Sequence, residues 1–152
     1  MLRPLTRKDD SALQSEGYID IDATGGLVAA HDAATAHLGV PWRMPTDEEH
    51  DDLINNCDWT WTTKNGVNGY EVRGRGDYAS NSIFLPAAGV GSGAGLYDLG
   101  SYGYYWSSTP NSGSSDGAWF FYLHISLRDV DIGQNIGGRN GGLSVRPVRD
   151  AD

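Results

Sequence analysis

Positive charge, cysteine and long apolar runs are what this chain has least of. Eleven Lys and Arg stand against twenty Asp and Glu, a formal net charge of −9 at pH 7. Such a chain repels phosphate backbones and anionic headgroups, so neither nucleic acid nor membrane insertion is expected of it. Cysteine occurs once, at Cys57. An intramolecular disulfide is then impossible, which excludes a small disulfide-stapled scaffold, and a thiolate zinc site lacks its second ligand. No apolar run is long enough to span a bilayer, and Met1-Leu-Arg-Pro-Leu-Thr-Arg-Lys-Asp-Asp10 lacks the apolar core of a signal peptide. Localisation is left open, with a cell surface or virion reached by another route among the readings.

Catalytic signatures are thin as well. No His-Glu-x-x-His pair occurs, and no nucleophile elbow is read between a strand and a helix. Cys57 has no neighbouring base and lies in a core-type segment, so a structural thiol is expected. Gly89-Val-Gly-Ser-Gly-Ala-Gly95 resembles a phosphate loop only in its glycines, since the Lys-Ser/Thr ending and the following helix are absent. Asp47, Glu48, Glu49 and His50 are acidic enough to suggest a metal, but they read better as a solvated first helical turn. Asp129 and Asp131, two apart in a strand-like run, are the one place where calcium is an alternative to no cofactor at all. An enzyme is not expected.

What the chain does have is aromatic residues and glycine. At 152 residues with 39% apolar content, five Trp and eight Tyr, it is long enough for one domain with a real core. Twenty-one glycines without a fixed period point to many turns rather than long helices. Residues 1–16 read as a polar arm and 17–152 as the domain. Tyr18-Ile-Asp-Ile21 alternates like a first strand, and residues 27–38 carry helical spacing up to Gly39, with His31 and His37 exposed or half-buried on it. Thr46 followed by Glu49 forms a capping box, and Pro45 bars helix entry from upstream, so a second helix starts there.

Strands follow. Trp59 and Trp61 share one face of a strand that turns at Asn65-Gly66 and Asn68-Gly69 into Tyr70-Glu-Val-Arg73, a hairpin. Residues 82–88 form a short apolar strand. Residues 89–103 form a glycine-rich loop of functional length. Residues 104–109 form another strand. From 118 to 132 the chain alternates, with Phe121, Leu123, Ile125 and Leu127 on one side and Tyr122, His124, Ser126 and Arg128 on the other. A phase shift at Asp129 marks a bulge or a turn between two strands. Residues 133–142 read as a loop and 143–148 as a last strand. The fold class is α+β, two helices on a mostly antiparallel sheet with long irregular loops.

Five segments in order carry a resemblance: Trp42-Arg-Met-Pro-Thr-Asp-Glu-Glu49, Cys57-Asp-Trp-Thr-Trp-Thr-Thr-Lys-Asn-Gly-Val-Asn-Gly-Tyr70, Ser82-Ile-Phe-Leu-Pro-Ala-Ala-Gly89, Gly103-Tyr-Tyr-Trp-Ser-Ser-Thr109 and Ser144-Val-Arg-Pro-Val148. Together, over residues 40–148, they resemble the Fibrobacter-type major paralogous domain, which has a C-type-lectin-like fold related to the formylglycine-generating enzymes. Met44 and His50 depart from the family pattern. The family's enzymatic relatives need a cysteine pair, so their activity does not carry over.

The resemblance implies a further property. Such domains are frequent targets of diversity-generating retroelements, which rewrite template adenines in the 3′ end of the gene. An Asn codon so treated reaches fifteen residue types but never Lys, Glu, Gln, Met or Trp. From Asn111 to Gly142 there is no Lys, Glu or Met, and only Trp119 and Gln134 fall outside the reachable set. The expectation is a monomeric ligand-binding protein, recognising a protein or glycan through a variable region at about 104–142. Its contact residues would be Tyr104, Phe120, Tyr122, His124, Ser126, Arg128, Asp129, Asp131, Asn135, Ile136 and Asn140. Trp106, Trp119, Val145 and the Trp59/Trp61 strand would form the invariant frame, and Phe120, Tyr122 and Ile136 an exposed apolar patch. A fixed-specificity carbohydrate-binding or adhesive domain is the alternative.

Overall fold

The structure, a computed structural model, describes residues 27–111, 117–125 and 131–150. The polar arm and the strand expected at 18–21 lie outside these. The described chain is an α+β domain with two helices and three antiparallel sheets.

Helix α1 is Ala33–Leu38, half the length expected. It starts late because Asp32 is its N-cap, in an extended conformation, with Oδ1 accepting from Thr35 N at 2.8 Å. The same carboxylate accepts from Met44 N at 3.1 and 2.9 Å, so it also holds the strand-like entry to the next helix. Residues 29–31 turn instead, with His31 N and Asp32 N both donating to Val28 O. Gly39, at φ 75°, ends the helix. Asp32 is 5% exposed, so losing it strands backbone donors away from water. Asp32→Ala is expected to cost about 2 kcal/mol in denaturant unfolding, and Asp32→Asn about half of that.

Helix α2 is Asp47–Asn56 and begins at the capping box: Glu49 N donates to Thr46 Oγ1 at 3.2 Å and Thr46 N to Glu49 Oε2 at 2.8 Å. Glu49 also receives both terminal nitrogens of Arg43 at 2.7 Å, and this guanidinium holds its carboxyl below the usual carboxylate range. Arg43 reaches Asp150 at 2.7 Å as well and pairs through its backbone with Val148. One side chain therefore ties the C-terminal tail to the start of α2.

The first sheet is β1 (Cys57–Lys64), β2 (Val67–Gly74) and β3 (Ser82–Pro86), in that order and antiparallel. Asn65-Gly66 makes the two-residue turn, both at positive φ, and Lys64 pairs with Val67 across it. Asn68-Gly69 does not turn. Gly69 lies inside β2, where a Cβ would strike the Leu85 carbonyl oxygen. The register places Trp59 opposite Val72, Trp61 opposite Tyr70, and Tyr70 opposite Leu85, all on one face.

A 3₁₀ turn, Gly76–Tyr78, links β2 to β3. The glycine-rich stretch that follows holds a small hairpin, β4 (Val90–Ser92) with β5 (Gly95–Tyr97). The third sheet is β6 (Tyr102–Pro110), β7 (Gly117–His124) and β8 (Asp131–Gly138). The phase shift near Asp129 thus divides two strands. Two expectations are corrected. Residues 133–138, read as loop for their glycines, belong to β8. Residues 143–148, read as a strand, make only single bridges, Ser144 beside Tyr105 and Val148 beside Arg43. Pro147 has no N–H to extend that pairing.

The inward faces of the two large sheets share one core: Tyr70, Val72 and Leu85 from one, Tyr105, Phe121 and Leu123 from the other, with Ala87 between. Tyr105 stacks on Phe121 at 4.9 Å, and Trp59 meets Phe121 edge-on at 6.3 Å. Leu53 and Ile54 of α2 close one end. Among the described residues no helix is long and apolar enough to cross a membrane.

Candidate functional site

Strand periodicity puts successive residues of β6, β7 and β8 on opposite faces. The face turned from the core carries Tyr102, Tyr104 and Trp106 on β6, then Phe120, Tyr122 and His124 on β7. Cross-strand register pairs Tyr102 with His124, Tyr104 with Tyr122 and Trp106 with Phe120. All six are half-buried. Tyr102 stacks on His124 at 3.9 Å and runs parallel to Tyr104 at 5.6 Å. Phe120 lies crosswise to both Tyr104 (67°) and Trp106 (89°).

Strand β8 completes the face with Gly133, Asn135 and Gly137. A Cβ at Gly133 would come within 2.8–3.1 Å of Tyr122 Oη, Cζ and Cε1, and one at Gly137 within 2.9 Å of Phe120 Cε1. Both rings therefore lie over bare backbone, which only glycine leaves open at those two positions. Asn135, opposite Phe120, stands exposed between the glycines, its Oδ1 accepting from Ile136 N at 2.8 Å.

The loop after β5 borders the face. Tyr104 Oη donates to Asp98 Oδ2 at 3.2 Å, and Asp98 itself takes positive φ, 60°. Burial first, then the adjacent Asp98 carboxylate, pushes the Tyr104 phenol up to about 12. Leu96, Tyr97 and Leu99 beside it are 58%, 57% and 66% exposed, so the aromatic face continues into an apolar rim.

The expected contact residues separate clearly. Tyr104, Phe120, Tyr122, His124 and Asn135 come together on this face. Asp131 opens β8 opposite His124. Asn140 is exposed in the turn after β8, off the ladder. Ile136 pairs with Trp119 and so lies on the other face, which takes it out of the patch expected with Phe120 and Tyr122. Ser126, Arg128 and Asp129 lie outside the described residues. Trp106, assigned to the frame, belongs to the aromatic face. Tyr102, Asp98, Gly133 and Gly137 were not expected as site residues. Period-two spacing from Tyr104 pointed to Tyr102, but nothing local pointed to Asp98.

The opposite face is the frame. Ser107 Oγ donates to Trp119 O at 3.0 Å. Gln134 Nε2 donates to Asp47 O at 2.9 Å and Asp47 Oδ1 at 2.7 Å, fastening β8 to the first turn of α2. Burial, with Asp51 and Glu48 nearby, raises the Asp47 carboxyl above its ordinary value. Gln134→Ala is expected to cost about 1–2 kcal/mol in denaturant unfolding, whereas Asn135→Ala, one residue on, should stay within about 0.5 kcal/mol.

Other chemistry-bearing groups are placed elsewhere. Burial pushes the Cys57 thiol up, away from the reactive thiolate. His50 is 3% exposed, packed edge-on against Phe121 at 4.6 Å. Among the described residues no three His, Cys, Asp or Glu side chains cluster as metal ligands. The spacing Gly-x-Ser-x-Gly does occur, at Gly113-Ser-Ser-Asp-Gly117. It leads into strand β7 rather than into the helix that follows a nucleophile elbow. Comparison of the chain with protein-family models, curated proteins and solved structures finds no match.

Proposed function

We propose that this chain is a ligand-binding protein of C-type-lectin-like fold, and that the outer face of β6–β7–β8 is its recognition surface for a protein or glycan. The carrying observation is the division of labour between the two faces of one sheet. Residues outward on β6 and β7 are aromatic and rigid, the chemistry that gives large contact area at small entropic cost. Residues inward are the core and its fastenings. No catalytic step is part of this reading, and neither calcium nor another cofactor is needed by it.

Diversification by a retroelement fits the same division. Trp119 and Gln134, the two residues that a rewritten Asn codon cannot supply, both take the inward register and make frame contacts. Phe120, Tyr122, His124 and Asn135, all reachable, take the outward one. The test is genomic. A near-copy of the 3′ end of the gene, beside a reverse-transcriptase gene and mismatched only at adenines, is expected. Mismatches at other bases, or no such copy, would sink diversification. A fixed-specificity binding domain of the same fold is the second reading. It is favoured by the matching of Tyr122 to Gly133 and of Phe120 to Gly137, since independent variation would break such pairs.

A further inference from the structure

We infer that the aromatic face takes a neutral saccharide, seated on Phe120 and Tyr122 with Asn135 between them. The inference rests on the binding role proposed above and names the ligand class for that surface.

Three features of the face select this chemistry. Two rings are held over glycine backbone on neighbouring outward positions of β7, about 7 Å apart along the strand. Each is fixed before any ligand arrives: Phe120 by Tyr104 and Trp106, and Tyr122 by its seat on Gly133. A sugar ring presents a face of C–H groups, and an aromatic ring with its electron-rich face is the natural surface to stack against it. Tyr104 and Trp106, steeply inclined to Phe120, form a wall on the β6 side.

The polar groups are those that hydroxyls need. The Asn135 amide is oriented through its Oδ1, which leaves its two N–H donors for a ligand. Asp98 supplies a carboxylate acceptor beside the wall, and Tyr104 Oη is already aligned on it. Few, convergent polar groups on an otherwise apolar surface give orientation and specificity to a small ligand.

Charge excludes the competitors. Tyr102, Tyr104, Trp106, Phe120, Tyr122, His124, Gly133, Asn135 and Gly137 include no Lys and no Arg, while Asp98 borders them and the chain carries −9 overall. Anionic glycans, phosphates and acidic peptides are thereby disfavoured. These positions also lack the Met and Arg that ordinarily accompany aromatics at the centre of a protein–protein interface. A saccharide, with C–H and O–H groups alternating around each ring, matches a surface of rings and amide better than either.

The test uses the intact chain against an array of immobilised neutral and anionic oligosaccharides, followed by calorimetry with the strongest neutral binder. Neutral glycans are expected to bind, with affinity unchanged between low and high salt. Phe120→Ala and Tyr122→Ala should each weaken binding about tenfold, with circular dichroism unchanged and melting lowered by no more than about 4 °C. Tyr122→Phe should keep most of the affinity, because the ring and not the hydroxyl does the stacking. Binding that survives both alanine variants would move the saccharide elsewhere and overturn the inference. So would a preference for anionic glycans. Absence of any glycan binding, with a protein partner lost in the same variants, would also overturn it while leaving the recognition surface intact.

Discussion

Phe121→Ala is expected to destabilise the protein by about 3–5 kcal/mol, against about 1 kcal/mol or less for Phe120→Ala. The two residues are adjacent and chemically identical, so the difference isolates the sheet face. Phe121 is 1% exposed and meets Tyr105, Trp59 and His50 with its ring. Those neighbours come from β6, β1 and α2, three elements that do not close together if the ring is removed. A cavity then remains, and its cost adds to the lost transfer energy. Phe120 meets the half-buried rings of Tyr104 and Trp106 and the bare backbone of Gly137 on the outer face, and the gap left by its removal opens to water. Stability of a domain this size is about 5–15 kcal/mol, so the inner substitution consumes a large part of it. Guanidinium unfolding of both variants checks this. Equal costs would mean that the register of β7 is wrong, and the outward assignment of Tyr122 and His124 would fall with it.

Legibility in the sequence followed the physics of each segment. The start of α2 was readable because a capping box is local: Thr46 and Glu49 need only each other. The β1–β2 hairpin was readable for the same reason, since Asn65-Gly66 supplies its own positive φ. The start of α1 was missed, although Asp32 ahead of an Ala-rich run is an N-cap signal. Its second role, receiving Met44 N, is long-range and invisible locally. Residues 133–138 of β8 read as loop in the sequence because glycine signals turns on average. Here Gly133 and Gly137 serve bulky cross-strand neighbours, and that pairing appears only once the register with β7 is known. The same blindness hid part of the candidate face. The outward residues of β7 were legible from alternation, but Trp106 was read as frame and Ile136 as face. Only cross-strand partners, Phe120 for the first and Trp119 for the second, decide between the two sides.

His50 makes acid the weak side of this fold. It stands on α2 with its ring against Phe121, 3% exposed, and neither ring nitrogen meets a hydrogen-bonding group among the described residues. Burial lowers its pKa from 6.5 to about 4, only partly opposed by the Glu49 charge. The folded protein thus holds the imidazole neutral, while the unfolded chain protonates it below its ordinary value. Between pH 6.5 and 4 the unfolded state binds the extra proton, so stability rises with pH across that window and is lost as pH falls. The loss from this one group is about 2 kcal/mol by pH 5 and about 3 kcal/mol by pH 4. Glu49 adds a lower step. Its depressed pKa stabilises the fold above the ordinary carboxylate range, and that stabilisation disappears as pH falls further. Asp47, raised by burial, works in the opposite sense over its own range and softens that lower step. His50→Leu removes the first step alone: the variant should show a nearly flat unfolding free energy between pH 6.5 and 5, where the parent protein falls by about 2 kcal/mol. Denaturant titrations of both proteins at pH 7, 6, 5 and 4 decide the matter, and parallel declines would place the acid sensitivity in some other group. Ligand binding gives a second readout, because His50 touches the back of β7 and none of the outward rings. At pH 7 the Leu variant should bind as the parent does.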